Sequence, residues 1–213
     1  MLATEVVAAP GATGEGPRDA DRAVNGVRGA GRWAGNTDDV FSLGLEVGVD
    51  DTIVVGFAGD AAAIDVDGPD LAIFENPFEV EAGGFFLDPV VVEVSADCEA
   101  WVAFPHAYDA PDPTVYEADP TLWIGFAGLG PVLLHEEDNP VDPLSEDAGG
   151  DRFDLADLDP TDRVAIGVLA EGARCVRLQS AAVVVDQATG ATFPHDPISN
   201  GADIDGVYAA AVE

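Results

Sequence analysis

The carboxylate is the side-chain group in this sequence whose type and spacing could do chemistry. Asp65, Asp67 and Asp70 fall within the segment DVDGPDLAIFENPF, just before an apolar run. Alternate side chains of an extended chain share a face, so Asp65 and Asp67 point the same way, and the Gly-Pro pair that follows turns the chain toward Asp70. Several oxygen atoms in one loop are the ligands that calcium prefers, so we predict a calcium site here.

Two further segments repeat the pattern. GGDRFDLADL places Asp151, Asp154 and Asp157 three residues apart, and a helical turn or a curled loop would gather them on one side. Like charges gathered in this way repel unless a cation neutralises them. GADIDG adds Asp203 and Asp205, two apart and therefore on one face of an extended chain.

Glu75 closes an apolar strand, where an ionised carboxylate needs a cation or an arginine as its partner. In a chain this acidic the same groups are also typical of solvated turns, and the sequence leaves both interpretations open. The candidate metal ligands are Asp65, Asp67, Asp70, Glu75, Asp151, Asp154, Asp157, Asp203 and Asp205.

The sequence contains few features that would support enzymatic chemistry. The histidines, His106, His135 and His195, are scattered, and HEED at His135 lacks the spacing of a zinc protease. The sequence contains no G-x-S-x-G motif, and a P-loop is excluded because there is no lysine. We therefore predict a protein that is not an enzyme, with a carboxylate-dependent hydrolase as the alternative.

The charge balance limits the class of partner. The sequence has 41 acidic residues and 8 basic residues, a formal net charge of -33. Such a surface repels phosphate backbones and anionic headgroups, which disfavours nucleic acid and membrane surfaces as partners and attracts divalent cations. No apolar run reaches the roughly 18 residues of a spanning helix, so we expect no membrane insertion. Self-repulsion also predicts a salt-dependent fold and a halophilic source.

The elements that position these residues are predicted to be strands. Short segments rich in Val and Ile alternate with Gly, Pro, Asp and Asn, which is typical of an all-β fold. We expect one two-sheet antiparallel β-sandwich domain over residues 1–213 with long acidic loops, in which residues 1–30 are partly irregular. The best helix candidate is 20–27. The predicted strands are 52–58, 71–76, 90–96, 100–106, 121–128, 131–135, 163–170, 174–186 and 204–212.

Two long segments, 107–120 and 135–162, are predicted surface loops, and loops of this length usually carry function. Aromatic residues in loops could form a platform on which a sugar ring stacks. The candidates for ligand binding are Trp33, Tyr108 and Tyr116.

Cys98 and Cys175 match no zinc spacing. From their types and positions alone, the two cysteines could equally well form one disulfide or remain two buried thiols.

Six segments that span most of the chain carry a resemblance. They are GNTDDVFSLG (35–44), DVDGPDLAIFENPF (65–78), VEVSADCEAW (92–101), GGDRFDLADL (149–158), ARCVRL (173–178) and GADIDGVYA (201–209). Together, and in this order, they resemble a family of secreted or cell-surface bacterial domains. The family's own motifs at the third and fifth of these segments are also similar to those of discoidin-like, galactose-binding jelly rolls.

The resemblance implies a jelly-roll β-sandwich at the cell surface or outside the cell. Cys98 replaces the family's turn glycine and Cys175 its strand tyrosine, and replacement at both places favours a Cys98–Cys175 disulfide. Ala202 replaces the closing phenylalanine. The first sixteen residues lack the features of a signal peptide, so we expect any secretory leader to have been removed.

The function predicted from these observations is a non-catalytic, calcium-supported module for adhesion or glycan binding, with a glycan or a surface component as its partner. A structural component of a surface layer is a further alternative.

Overall fold

The computed structural model describes residues 1–80 and 83–213, and most of its regular structure is antiparallel β-sheet. The strands form where β-branched and aromatic residues favour an extended backbone. They are β1 (Glu5–Ala8), β2 (Phe41–Ser42), β3 (Thr52–Gly56), β4 (Leu71–Glu75), β5 (Phe78–Val80), β6 (Gly84–Phe86), β7 (Val90–Ser95), β8 (Val102–Ala103), β9 (Ala107–Tyr108), β10 (Trp123–Ile124), β11 (Asp151–Phe153), β12 (Cys175–Ser180) and β13 (Asp203–Ala209).

The helices in the described residues are short. One is an α-helix, α1 (Arg163–Glu171). The 3-10 helices are Gly16–Arg18, Ala20–Val24, Ala58–Asp60, Pro120–Leu122, Glu146–Ala148, Leu155–Asp157 and Ala181–Val183. In the part of the chain that the structure describes, no helix has the length and apolar character needed to cross a bilayer.

Two sheets contain most of the strands. The first has the order β1-β3-β12-β7-β8 and the second the order β11-β4-β13-β2, and β5–β6 and β9–β10 form two small separate pairs. Both sheets contribute to one buried cluster, which includes Ile53, Val92 and Leu178 from the first and Ile73 and Val207 from the second. Each such side chain stabilises the fold by roughly 1.5 to 3 kcal/mol when fully buried.

The prediction of a β-rich fold is confirmed. Predicted segment 131–135 makes only isolated bridges, such as Val132 with Gly149, and the predicted helix 20–27 is the 3-10 helix Ala20–Val24. The predicted segments that contain a strand are 52–58, 71–76, 90–96, 100–106, 121–128, 174–186 and 204–212.

The predicted strand at 163–170 is wrong, because this segment forms α1. The Asp162 side chain accepts hydrogen bonds from the N–H groups of Val164 (2.7 Å) and Ala165 (3.2 Å), which caps the N-terminus of the helix. Gly172, with φ of 85°, ends it. Ala165 and Val168 are buried three positions apart, which is helical spacing, and these end signals outweigh the β-branched content of the segment.

A disulfide joins Cys98, in the turn after β7, to Cys175, the first residue of β12. Cys175 also lies opposite Ser95 of β7 in the antiparallel register. The bond therefore closes a long loop at a point where two core strands already pair.

Candidate metal centre

Three of the predicted carboxylates meet at one end of β4. Asp65 and Asp70 belong to the loop before β4, and Asp154 directly follows β11. Phe153 of β11 lies opposite Leu71 of β4, so the antiparallel pairing places Asp154 beside Asp70. One carboxylate oxygen from each of the three lies within 4.8 Å of the others. Carboxylate oxygens so close together suit a hard cation such as calcium.

Asp70 is the buried member of this group, with no exposed surface. Its Oδ1 accepts a hydrogen bond from the Val66 N–H (2.8 Å) and its Oδ2 one from the Leu155 N–H (2.7 Å). Burial raises the pKa of Asp70, these two hydrogen bonds oppose the rise, and the charges of Asp154 and Asp65 add to it. A bound cation would offset both the burial and the repulsion.

Asp154 and Asp65 leave the group open to solvent. Asp154 is half-buried, and its Oδ1 accepts a hydrogen bond from the Ala156 N–H (2.9 Å), which caps the 3-10 helix Leu155–Asp157. Asp65 is exposed. The arrangement is a shallow site with one buried wall, which ions can reach from solvent.

A close approach of two strands holds Asp154 in place. Gly150, before β11, has φ of 69°, and a Cβ atom there would lie 2.7 Å from the Ile73 carbonyl oxygen. Glycine therefore fits where another side chain would push β11 away from β4. Arg152 secures the preceding loop by donating hydrogen bonds to the carbonyl oxygens of Leu144 (2.8 Å) and Ser145.

The other carboxylates of the two acidic loops lie outside this group. Asp67 and Asp157 are exposed. Asp151 is three residues before Asp154 on an extended strand, so the two side chains point to opposite faces and the expected gathering of Asp151, Asp154 and Asp157 is wrong.

Asp151 has partners of its own. Its Oδ2 accepts hydrogen bonds from the N–H groups of Gly128 (2.9 Å), Leu129 (3.0 Å) and Gly130 (3.4 Å). Burial raises the pKa of Asp151 to about 6, although these hydrogen bonds lower it. Asp151 thus anchors the 128–130 turn beside β11.

Glu75, Asp203 and Asp205 lie at the opposite end of β4. Glu75 is the last residue of that strand, and its Oε1 accepts a hydrogen bond from the Asp203 N–H (2.8 Å). Both oxygens of Asp205 accept from the Arg28 N–H (3.1 Å each). Five residues of strand span roughly 16 Å, so the two acidic groups are separate.

A groove of about 510 Å³ lies beside β11, whose three residues Asp151, Arg152 and Phe153 are part of its lining. The exposed residues Pro105 and Ile124 supply apolar surface above the buried phenyl rings, and Asp151 and Asp157 supply polar edges. The groove therefore presents apolar surface and carboxylate oxygens together.

The predicted aromatic platform at Tyr108 is wrong. Tyr108 is only 8% exposed, its ring stacks on Trp123 with 4.0 Å between ring centroids, and its hydroxyl donates to the Val115 carbonyl. The hydroxyl of Tyr116 donates to the Leu87 carbonyl, so the 107–120 loop folds back onto a second aromatic cluster.

Trp33 is 66% exposed, with the Arg32 guanidinium 5.5 Å from its ring centroid, and it remains a candidate for ligand stacking away from the groove.

Sequence reasoning missed Asp88. It is 9% exposed, Ser199 Oγ donates to its carboxylate, and burial raises its pKa to about 6. The available signal was its position in LDPVVV, immediately before Pro89 and the three valines that begin β7, where a carboxylate lies close to the core.

Comparison with known proteins gives no family assignment. No protein-family model matches the chain, and neither a curated protein nor a solved structure matches it. The resemblance to secreted and cell-surface bacterial domains stays a prediction, and the functional argument rests on the geometry described above.

Proposed function

We propose that this protein is a non-catalytic, extracellular or cell-surface binding module that uses calcium to hold the loops beside a glycan-binding groove. The observation that carries the proposal is the convergence of Asp65, Asp70 and Asp154 from two distant segments, the second of which continues directly from Phe153 in the lining of the groove. The arrangement of two antiparallel sheets around a shared core supports a galactose-binding-like jelly roll. The disulfide supports an oxidising compartment.

Calcium binds where it removes the repulsion among three carboxylates and joins the loop before β4 to the segment after β11. Binding to the folded state at one hundred times Kd stabilises it by about 2.7 kcal/mol. For a domain of this size that corresponds to a rise in melting temperature of roughly 5 to 10 °C.

We expect this rise in chelator-treated protein titrated with calcium, measured against sodium chloride of equal ionic strength. Asp154→Asn should lose a large part of it, because asparagine still caps the 3-10 helix but no longer supplies the charge. Asp157→Asn, an exposed change close by, is the matched control and keeps the full response. An undiminished rise in Asp154→Asn would exclude this site.

The groove fits neutral or amino sugars. The exposed side chains of Pro105 and Ile124 suit the apolar face of a pyranose, and the exposed carboxylate of Asp157 accepts hydrogen bonds from hydroxyl or amine groups. The guanidinium of Arg152 is directed to main-chain carbonyls, so acidic sugars find no free cation there. The net charge of -33 repels them as well.

On a glycan array in the presence of calcium, we expect the protein to bind neutral or amino sugars and not to bind sialylated or sulfated ones. Ile124→Asp, at a residue that lines the groove and is 54% exposed, should reduce the signal at least tenfold, and Ile198→Asp, exposed and outside the groove, should not. Equal signals from both variants, or binding led by acidic glycans, would contradict the groove assignment.

A carboxylate-dependent hydrolase is the second candidate, because Asp151, with a pKa near 6, and Asp157 line the same groove. Chain shortening of a bound oligosaccharide, followed by mass spectrometry, would favour the hydrolase over the binding module.

A further inference from the structure

Glu75 contains a buried oxygen atom without a partner. Its side chain is 3% exposed, and its Oε1 accepts a hydrogen bond from the Asp203 N–H. Within residues 1–80 and 83–213, Oε2 of Glu75 is the one buried side-chain nitrogen or oxygen that makes no hydrogen bond. Buried polar atoms almost always have a partner, so this atom indicates a ligand.

The surroundings of Glu75 are anionic. Burial raises the pKa of Glu75 well above its usual value, and the charges of Asp88 and Asp203 raise it further. Two basic side chains act on the neighbours of Glu75: Arg18 acts on Asp203 and pairs with Asp50 (2.9 Å), and His195 acts on Asp88. Asp88 and Asp203, from two other segments, therefore add negative charge beside a carboxyl group that is itself buried.

Oxygen atoms of two of these segments meet at Gly128. A Cβ atom on Gly128 would lie 2.6 Å from the Asp88 carbonyl oxygen and 3.3 Å from Glu75 Oε2. The unpartnered carboxylate oxygen and a main-chain carbonyl thus flank the same face of this glycine. Carboxylate and carbonyl oxygens together are the usual ligand set of calcium.

We propose that Glu75 and Asp88 form a second calcium site, separate from the one at Asp65, Asp70 and Asp154. The ion would join the end of β4 to the segment before β7, close to the start of β13. A proton on Glu75 would neutralise that group alone and would leave the charges of Asp88 and Asp203 uncompensated. A cation neutralises Glu75 and also offsets Asp88 and Asp203.

Calorimetric titration of the chelator-treated full chain with calcium chloride tests this site. We expect two equivalents for the wild type, one for Glu75→Gln, one for Asp154→Asn and none for the double variant. Asp88→Asn keeps the main-chain carbonyl and the hydrogen bond from Ser199 but removes one of the charges that the ion offsets, so it should weaken the second site at least tenfold. Asp196→Asn is the control, because it removes a charge near Asp88 without touching Glu75 and should keep two equivalents.

The outcomes separate the two proposals. Unchanged stoichiometry and affinity in both Glu75→Gln and Asp88→Asn would overturn the second site and leave the first untouched. A single equivalent that is lost in Glu75→Gln and kept in Asp154→Asn would support the second site and remove the first. If Glu75→Gln does not fold, Asp88→Asn alone decides the proposal. A Glu75→Gln variant that is stabilised at pH 8 with full calcium binding would show that a proton occupies the site.

Discussion

Lowering the pH from about 8 to about 5 in calcium-free buffer is expected to raise the melting temperature of this protein by roughly 10 °C. The cause is a set of buried carboxyl groups whose pKa values burial raises in the folded state. The groups concerned are Asp70, Glu75, Asp88, Asp151, Asp203 and Asp205.

The direction follows from proton binding. Between the unfolded pKa near 4 and the folded values of about 6 to 7, the folded state binds more protons than the unfolded chain, so stability is lost as the pH rises. Asp205 contributes most among the groups with a stated value, because burial raises its pKa to about 7 and the charge of Asp39 opposes ionisation, although the Arg28 N–H favours it. Ionising a group with this difference costs the folded state on the order of 4 kcal/mol.

Asp205→Asn isolates this contribution. The amide oxygen still accepts the hydrogen bond from the Arg28 N–H, but the side chain no longer ionises. We expect the variant to melt several degrees above the wild type at pH 8 and to match it near pH 4.5. Glu99→Gln removes the same charge from an exposed position and should leave the pH profile unchanged. If the melting temperatures of the wild type and of Asp205→Asn change with pH in parallel, ionisation of buried Asp205 is not a cause of the pH dependence.

The loss of stability that we expect at low pH has a separate cause. Hydrogen bonds from nearby groups lower the pKa values of four exposed aspartates, so their stabilising contribution is lost below about pH 4. Maximum stability is therefore expected near pH 4 to 5. These aspartates are Asp97, Asp112, Asp119 and Asp159.

Loss of the Cys98–Cys175 bond is expected to lower the free energy of unfolding by about 4 kcal/mol. The bond spans a sequence separation of 77 residues, so it removes much of the freedom of the unfolded chain. In the folded state the pairing of β7 with β12 keeps the two ends together without the bond, so the native structure should persist.

Urea unfolding of the double variant Cys98→Ser, Cys175→Ala measures this effect. The urea concentration at the unfolding midpoint should be markedly lower in the variant than in the wild type. Dithiothreitol should lower the midpoint of the wild type toward that of the variant and leave the midpoint of the variant unchanged. A difference below about 1 kcal/mol would mean that the unfolded chain already keeps these segments close together.

Local sequence patterns were sufficient to predict most of the longer strands. Short apolar segments rich in Val and Ile, bounded by Gly, Pro, Asp and Asn, predicted β3, β4, β7 and β12. The same patterns gave a wrong strand prediction at 163–170, where an N-terminal aspartate cap and a terminal glycine outweighed the Val and Ile content.

The candidate metal group was predictable only in part. The spacing of Asp65 and Asp70 placed both in one loop, but their meeting with Asp154 depends on the pairing of β11 with β4, which no local pattern encodes. Asp151 was grouped with Asp154 because a turn was assumed where the chain is extended. Asp88 was missed because a single carboxylate before a strand resembles any turn residue.

The position of the disulfide has a consequence for proteolysis. Residues 107–120 and 135–162, the longest predicted loops, both lie between Cys98 and Cys175. A protease that cuts once in either loop divides the chain into two pieces that stay covalently joined. Neither piece is released while the bond is oxidised, so the nicked molecule keeps all of its strands.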